Sequence, residues 1–293
     1  MSLFVKFNLI LLLVFGAALV PAAYLSNQLL QSNARNQVIQ NARIMMQSAL
    51  ATRTYTSQQI VALLAKQAQD DFIPQTVPSY SATEVFNTVR KSNPEYTYKE
   101  ATLNPTNLRD RTNDWEADVV NAFRADPKLT EIIGEREGAR GKSLHLARPI
   151  QINDEKCLSC HSTADAAPKP VVKTYGPNNG FGWQLHEIVG AQIVSVPMNV
   201  AESMASKALT AILGTVLAVF ASMFVILNLL LWFVVIRPIK KLSAMADQVS
   251  SGNLEAEEVT VGGSDEVAVL AGSFNRMRIS LAKALNLLEE SGG

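Results

Sequence analysis

Apolar positions along this chain fall into two nearly unbroken runs and several periodic stretches. The first run, Phe7–Leu25, is interrupted only by Asn8, Gly16 and Pro21. At 1.5 Å per residue its roughly 19 residues cover about 30 Å of hydrocarbon, enough for one membrane-spanning helix. The second, Ala208–Ile236, carries no charge and is bracketed by Lys207 and Arg237. A helix of that length without a polar face reads as a membrane span. Lys6, the first run and Val20-Pro21-Ala22-Ala23 also fit a cleaved signal peptide. Because the helical pattern continues from Tyr24 without a break, a retained helix is the favoured reading. Either way the middle of the chain lies on one side of the membrane. Lys6 precedes the first span, and Arg237, Lys240 and Lys241 come after the second. This excess of Lys and Arg puts both termini in the cytoplasm and exports Ser26–Lys207.

Within the exported part, Val38, Ala42, Met45, Ala49, Thr52 and Thr56 recur at alternating spacings of four and three. This predicts one amphipathic helix from Tyr24 to about Asp70, ended by Phe72-Ile73-Pro74. Ala117–Phe123 and Lys128–Glu137 read as shorter helices separated by the turn-forming Asp126-Pro127. Tyr96–Glu100, Ser143–Ile152 and the β-branched Ile188–Val196 read as strands. Tyr175–Trp183, with three glycines, reads as a loop. The expected fold is an α+β sensor module. After the second span, Ile239, Leu242, Ala246 and Val249 keep a heptad spacing, and Gly252-Asn253 breaks it. Leu254, Val259 and Val261 mark an extended connector. Ser264-Asp265-Glu266 caps a second helix whose stripe is Val267, Leu270, Phe274, Met277, Leu281, Ala284 and Leu288. Two short heptad helices cannot bury their stripes alone, so this segment predicts a parallel four-helix bundle with a second copy of the chain.

The 293 residues hold 26 basic and 26 acidic side chains, a net charge of zero, and only 18% are charged. An average soluble domain has about 25% charged residues, and the difference lies in the two apolar runs. The neutral balance gives no electrostatic footprint for nucleic acid. Two cysteines exclude a disulfide scaffold and any four-cysteine metal site. No nucleophile–base set or phosphate loop is visible, so no enzymatic activity is expected.

Both cysteines lie in Cys157-Leu158-Ser159-Cys160-His161. This C-x-x-C-H reads as covalent attachment of one haem c: the thiols of Cys157 and Cys160 add to the vinyl groups, and the imidazole of His161 becomes the proximal iron ligand. A thioredoxin-like pair would sit at a helix start after a strand, whereas this motif reads as lying in a loop. A structural zinc site would need a second Cys/His cluster. Candidates for the sixth iron position are Met45, Met46, Met198, His145 and His186. Phe181 and Trp183 are candidates for the wall of an apolar pocket, with Tyr55 beside them, and Arg53, Arg148 and Lys142 for partners of the haem carboxylates.

The membrane-proximal segment resembles a HAMP domain over roughly Ile236–Glu289, on Pro238, Glu266, Leu270 and Phe274-Asn275-Arg276-Met277. That resemblance implies signal relay and a homodimer. The exported part resembles the haem-c-binding, PAS-like sensor family best known from cyanobacteria. It does so on Arg53-Thr54-Tyr55-Thr56, Phe72–Pro78, Asn104-Pro105-Thr106-Asn107, Cys157–His161, Gly180-Phe181-Gly182-Trp183 and Gly190–Met198, over about residues 35–205. Family kin can use a cysteine as the distal ligand, and here no third cysteine exists to supply it. The expected order is a tail (1–6), a span (7–25), the haem domain (26–207), a span (208–236), a HAMP domain (237–289) and a tail (290–293). The expected protein is a multi-pass sensor of a bacterial plasma membrane, anchored in lipid. It would pass a redox or small-gas signal to a separate output protein such as a kinase or cyclase. A membrane-anchored electron-transfer cytochrome c, exchanging electrons with a redox partner, is the rival reading, and a haem-free thiol switch is a third.

Overall fold

The computed structural model describes residues 1–69, 71–138, 141–253 and 257–291. It divides into two compact units, Ser26–Leu209 and a second formed by Met1–Leu25 with Thr210–Gly293.

Helix α1, Leu3–Tyr55, runs from the first apolar run into the first unit and buries Val38, Ile39, Ala42, Met46 and Ala49. The predicted helix to Asp70 is shortened. A π-helical turn occupies Thr56–Ile60, a single α-turn Val61–Leu64, and a 3-10 turn Gln67–Gln69. Asp70 itself lies outside the described residues. A helix the periodicity did not reveal, α2 (Pro78–Ser92), starts on its proline and buries Ala82 and Phe86. Strand β1 is Thr97–Thr102 and helix α3 is Asp114–Ala125. Asn113 and Glu116 close a reciprocal capping box at the start of α3, each side chain accepting the other's backbone N–H.

The stretch Lys128–Glu137, expected as a helix, is instead strand β2, Ile132–Gly138, paired antiparallel with β3, Gly141–Gln151. Tertiary partners decide for the strand. Glu131 bonds Arg43 of α1 and Arg148 of β3, and Glu135 bonds Arg35 of α1 and Lys142 of β3. Gly134 lets the ring of His145 lie against the strand, since a Cβ there would sit 2.5 Å from its Cε1. The other strand expectations agree with the fold to within two residues at either end. Strand β4, Ile188–Pro197, completes an antiparallel sheet of order β1-β4-β3-β2.

Central β4 is buried along nearly its whole length because both faces are covered. On one face Leu144, Leu146, Val194, Val196 and Tyr98 pack against Val38, Ala42, Met46 and Phe86 from α1 and α2. On the other, Ala101, Ala147, Ala191 and Ile193 pack against Val119, Val120 and Phe123 of α3. A short helix, α4 (Lys169–Tyr175), comes after the cysteine motif and was also not legible in the pattern.

In the second unit, α5 (Asn199–Leu230, beginning in the first unit) passes into a π-helical segment, Leu231–Ile236, and then into α6, Arg237–Ser250. Two helical stretches, Leu3–Leu64 and Asn199–Ser250, are long and apolar enough to cross a membrane. Helix α7 is Glu266–Ser291, and the Asp265 carboxylate caps it by accepting from the Ala268 N–H at 2.9 Å. Leu242, Met245 and Val249 of α6 form a small core with Ala271 of α7, with Val259 and Val261 of the connector packed against it. Met245 takes the buried place that the heptad reading gave to Ala246, which is half-buried. Leu254 and the side chain of Leu288 lie outside the described residues.

Phe123 is the largest fully enclosed side chain among the described residues of the first unit. Phe123→Ala is expected to lower the unfolding free energy of segment 26–209 by about 3–5 kcal/mol, the loss of transfer free energy plus the cavity. Chemical denaturation checks this.

Candidate functional site

The cysteine motif lies beyond β3 and is helical, not the loop the sequence suggests. The Asp154 carboxylate accepts from the Lys156 N–H at 2.9 Å and starts a 3-10 turn, Glu155–Cys157, which leads into a helical turn, Leu158–His161. Helical spacing brings Cys157, Cys160 and His161 to one side of the turn, at positions i, i+3 and i+4. Both thiols are free and half-buried.

His161 is held from three directions. Its Nδ1 lies 2.8 Å from the Gly180 carbonyl oxygen and 3.4 Å from Thr106 Oγ1, and Trp183 stacks on the ring at 3.9 Å and 15°. A carbonyl only accepts, so Nδ1 carries the proton and Nε2 keeps its lone pair. Burial pushes the imidazole below its ordinary pKa, and the Gly180 carbonyl partly offsets this.

The acceptor is itself built with care. Gly182 and Trp183 donate backbone N–H groups to the carbonyls of Ser162 and His161 at 2.9 and 3.2 Å. Asn104, just beyond β1, donates to the Phe181 carbonyl and accepts from the Gly180 N–H, both at 3.1 Å. Gly180 has φ +83°, and a Cβ there would overlap Thr106, 2.7 Å from its Cα. Only glycine fits both demands. Asn104, Thr106 and Gly180 were not among the sequence candidates. Their only signal was membership of two short motif stretches, because their role exists through contacts across about 75 positions of the chain.

Beside the motif lies a buried polar cluster. Arg53 of α1 forms an ion pair with Glu100 of β1. The Tyr98 hydroxyl donates to Glu100 at 2.6 Å, and Gln192 of β4 donates to Tyr98 at 3.1 Å. Burial opposes the charge on Arg53, but Glu100 holds the guanidinium protonated above its ordinary range. Burial and then Glu100 push the Tyr98 phenol up. The Cys157 thiol is pushed up by burial and by Asp154, against the pull of the Arg53 charge. Asp110 is raised to about 6, first by burial, with Arg109 opposing and Glu100 adding to it.

The fold scatters the remaining sequence candidates. Phe181 is half-buried in the Gly180 loop, and Tyr55 is 59% exposed. Met46 is fully enclosed in the core between α1 and the sheet, with Met45 and Met198 in the same cluster. His145 lies against Trp115 at 5.1 Å, among side chains of the α3 face, whereas Arg53 and Glu100 belong to the α1 side. Its Nδ1 has no partner among the described residues. His186 is exposed with φ +66°, its backbone bonded to Ile152 and to the Gln151 side chain. Arg148 and Lys142 are engaged by Glu131 and Glu135. Cys157, Cys160, His161, Phe181, Trp183 and Arg53 thus share one neighbourhood. His145, Arg148 and Lys142 lie elsewhere.

Two helical stretches long and apolar enough for a membrane flank an α+β unit, and a helix–connector–helix segment comes after the second. A family described as Tll0287-like (Tll0287) matches residues 31–197, more than half of the chain, and a HAMP domain matches residues 232–283. The chain belongs to the Tll0287-like family, and its sensor-like domain is followed by a HAMP domain. Among solved structures, the crystal structure of the cyanobacterial heme-protein Tll0287 is similar at 14% identity and a TM-score of 0.38. The match covers 52% of this chain and 94% of that one. No curated protein matches the chain.

Gly180→Ala is expected to lower the melting temperature of segment 26–209, costing about 1–3 kcal/mol for the unfavourable backbone alone. The pH dependence of Asp110→Asn is set by the raised pKa of about 6. Above that pH the native protein carries the cost of an ionised, buried carboxylate, and below the ordinary carboxylate range it carries none. The variant is expected to be more stable than the native protein above about pH 6. The difference should shrink as pH falls and vanish near the ordinary carboxylate pKa of about 4, as read from melts across that range.

Proposed function

We propose that the exported unit is a c-type haem sensor that signals through its membrane helices and HAMP domain to a separate output protein. The observation that carries this reading is the state of His161. Its Nδ1–H is committed to Gly180, its Nε2 lone pair is left for a metal, and two free thiols share its helical turn. The donor set fits a haem: thiols for two covalent links and a neutral imidazole for the iron. Membership of a family whose namesake is described as a cyanobacterial heme-protein agrees with it.

Bound there, a haem supplies an iron that changes oxidation state and takes small gases as ligands. The chain's own residues do the rest. Cys157 and Cys160 tether the group, and His161 ligates through Nε2. The Gly180 carbonyl makes that nitrogen more basic by drawing on the Nδ1 proton. Trp183 fixes the plane of the ring, and Arg53 places positive charge beside the motif, suited to haem carboxylates.

Relay rests on continuity of the backbone. Arg53 lies on α1, three residues before the π-helical turn, and α1 leads back through the first span. Strand β4 leads through Pro197 into α5 and the second span. A displacement of α1 or of β4 would reach the HAMP helices to the extent that their two packings differ in free energy. Leu270, Met277 and Leu281 of α7 are each 44–53% exposed in the single chain. Such a stripe suits a second copy, so the working unit is a homodimer. The Lys and Arg flanks put the haem unit outside the cytoplasm, where c-type attachment takes place.

The full chain, produced with c-type maturation machinery, is expected to show a haem absorption band that survives denaturation. Cys157→Ala with Cys160→Ala should abolish it. A spectral shift of the reduced protein with carbon monoxide would assign gas sensing. No shift would assign redox sensing or, if electrons exchange rapidly with a soluble partner, electron transfer. Absence of covalent haem in the native chain would overturn the proposal and leave a thiol switch.

A further inference from the structure

Each span carries one asparagine near the end that faces the HAMP domain, and the two meet. Asn8 Nδ2 donates to Asn228 Oδ1 at 2.8 Å, and Asn228 Nδ2 donates to Asn8 Oδ1 at 2.9 Å. Each amide uses its second N–H on a carbonyl of its own helix, Phe4 for Asn8 and Phe224 for Asn228, both at 2.9 Å. Every donor of both amides is thereby satisfied, and each amide oxygen accepts across the helix pair. Further into the spans Phe15 stacks on Phe220, with ring centroids at 4.6 Å and planes 1° apart. Seven residues along one helix answer eight along the other, so both contacts specify one register.

In an apolar medium such a pair is a lock with one setting. Sliding one span by a helical turn leaves amide groups without partners where no water replaces them. Polar side chains inside membrane spans are rare and commonly functional. The chain just beyond Asn228 indicates where the lock acts. The π-helical segment Leu231–Ile236 starts three residues later, closed by the Arg237 N–H on the Trp232 carbonyl. The Trp232 ring in turn receives the Lys240 ammonium of α6 at 5.2 Å. Single-turn π segments inside α-helices are frequent at functional sites.

We infer that Asn8 and Asn228 are the positioning residues of the relay: their reciprocal amide pair sets the resting register of the second span against the first. The π segment just beyond it hands that register to the HAMP entry helix. The inference rests on the reading of both runs as membrane spans and does not depend on haem.

The test uses the full chain in native membranes, with insertion verified by resistance to alkaline extraction. Cysteine pairs at 15 and 220 (in register) and at 15 and 224 (one turn off) are oxidised, and linked peptides are identified by mass spectrometry. Replacing the two phenylalanines also removes their stacking, leaving the amides to set the register. With both asparagines present, the 15–220 link is expected to form at least tenfold faster than the 15–224 link. Asn8→Leu or Asn228→Leu should reduce that preference to within about threefold. The double Leu variant leaves no orphan amide, so it inserts even if a single variant does not, and it should lose the preference as well. A preference unchanged in the inserted double variant overturns the inference. Failure of the native chain to resist extraction overturns the span reading instead, and loss of haem alone leaves the register result standing.

Discussion

Burying an imidazole commits the protein to finding a partner for whichever ring nitrogen carries the proton. For His161 that partner is the Gly180 carbonyl, and much of the surrounding design serves to keep it in place. The carbonyl belongs to a residue at positive φ that admits no side chain, because Thr106 fills the space. The Gly180–Phe181 peptide units are gripped by Asn104, and the residues after them bond back onto the helical turn that carries His161 itself. Loop and turn therefore define each other. The ring is fixed in tautomer and in plane, which is the preorganisation a metal ligand requires.

The sheet ties this local arrangement to the long entering helix. Asn104 lies just past the end of β1, the same strand that presents Glu100 to Arg53 of α1. The long entering helix and the motif thus lean on one strand. A partly buried ion pair of this kind adds little to stability in itself, since desolvation offsets attraction, but removing Arg53 leaves the buried Glu100 without its cation. Central β4 is covered on both faces and holds β1 and β3 on either side of it.

Much of the architecture was legible in the chain because it rests on local pattern. Two apolar runs, the amphipathic stripe of α1, three of four strands and the Asp265 cap are consequences of periodicity and of side chains acting on their own neighbours. The segment Ile132–Gly138 was misread for a physical reason. The carboxylates of Glu131 and Glu135 pair with arginines and a lysine from α1 and β3, partners that no local pattern of the segment reveals. Its Gly134 is there to admit His145. Helix α2 buries only Ala82, Thr83 and Phe86 along 15 residues, and the seven-residue α4 buries none, so neither announces itself by an apolar run.

By itself the sequence determined what kinds of atoms are present and in what order: two thiols and an imidazole at helical spacing, two spans without charge, a capped heptad helix. These are short-range properties, settled by covalent spacing and by hydrophobic period. Which nitrogen of His161 is protonated, why residue 180 must be glycine, and whether Met46 is core or ligand candidate were decided only in three dimensions. So was the meeting of Asn8 with Asn228. Each depends on hydrogen bonds or packing between residues tens to hundreds of positions apart. Such contacts leave no trace in local pattern, because their free energy exists only once the chain has closed on itself.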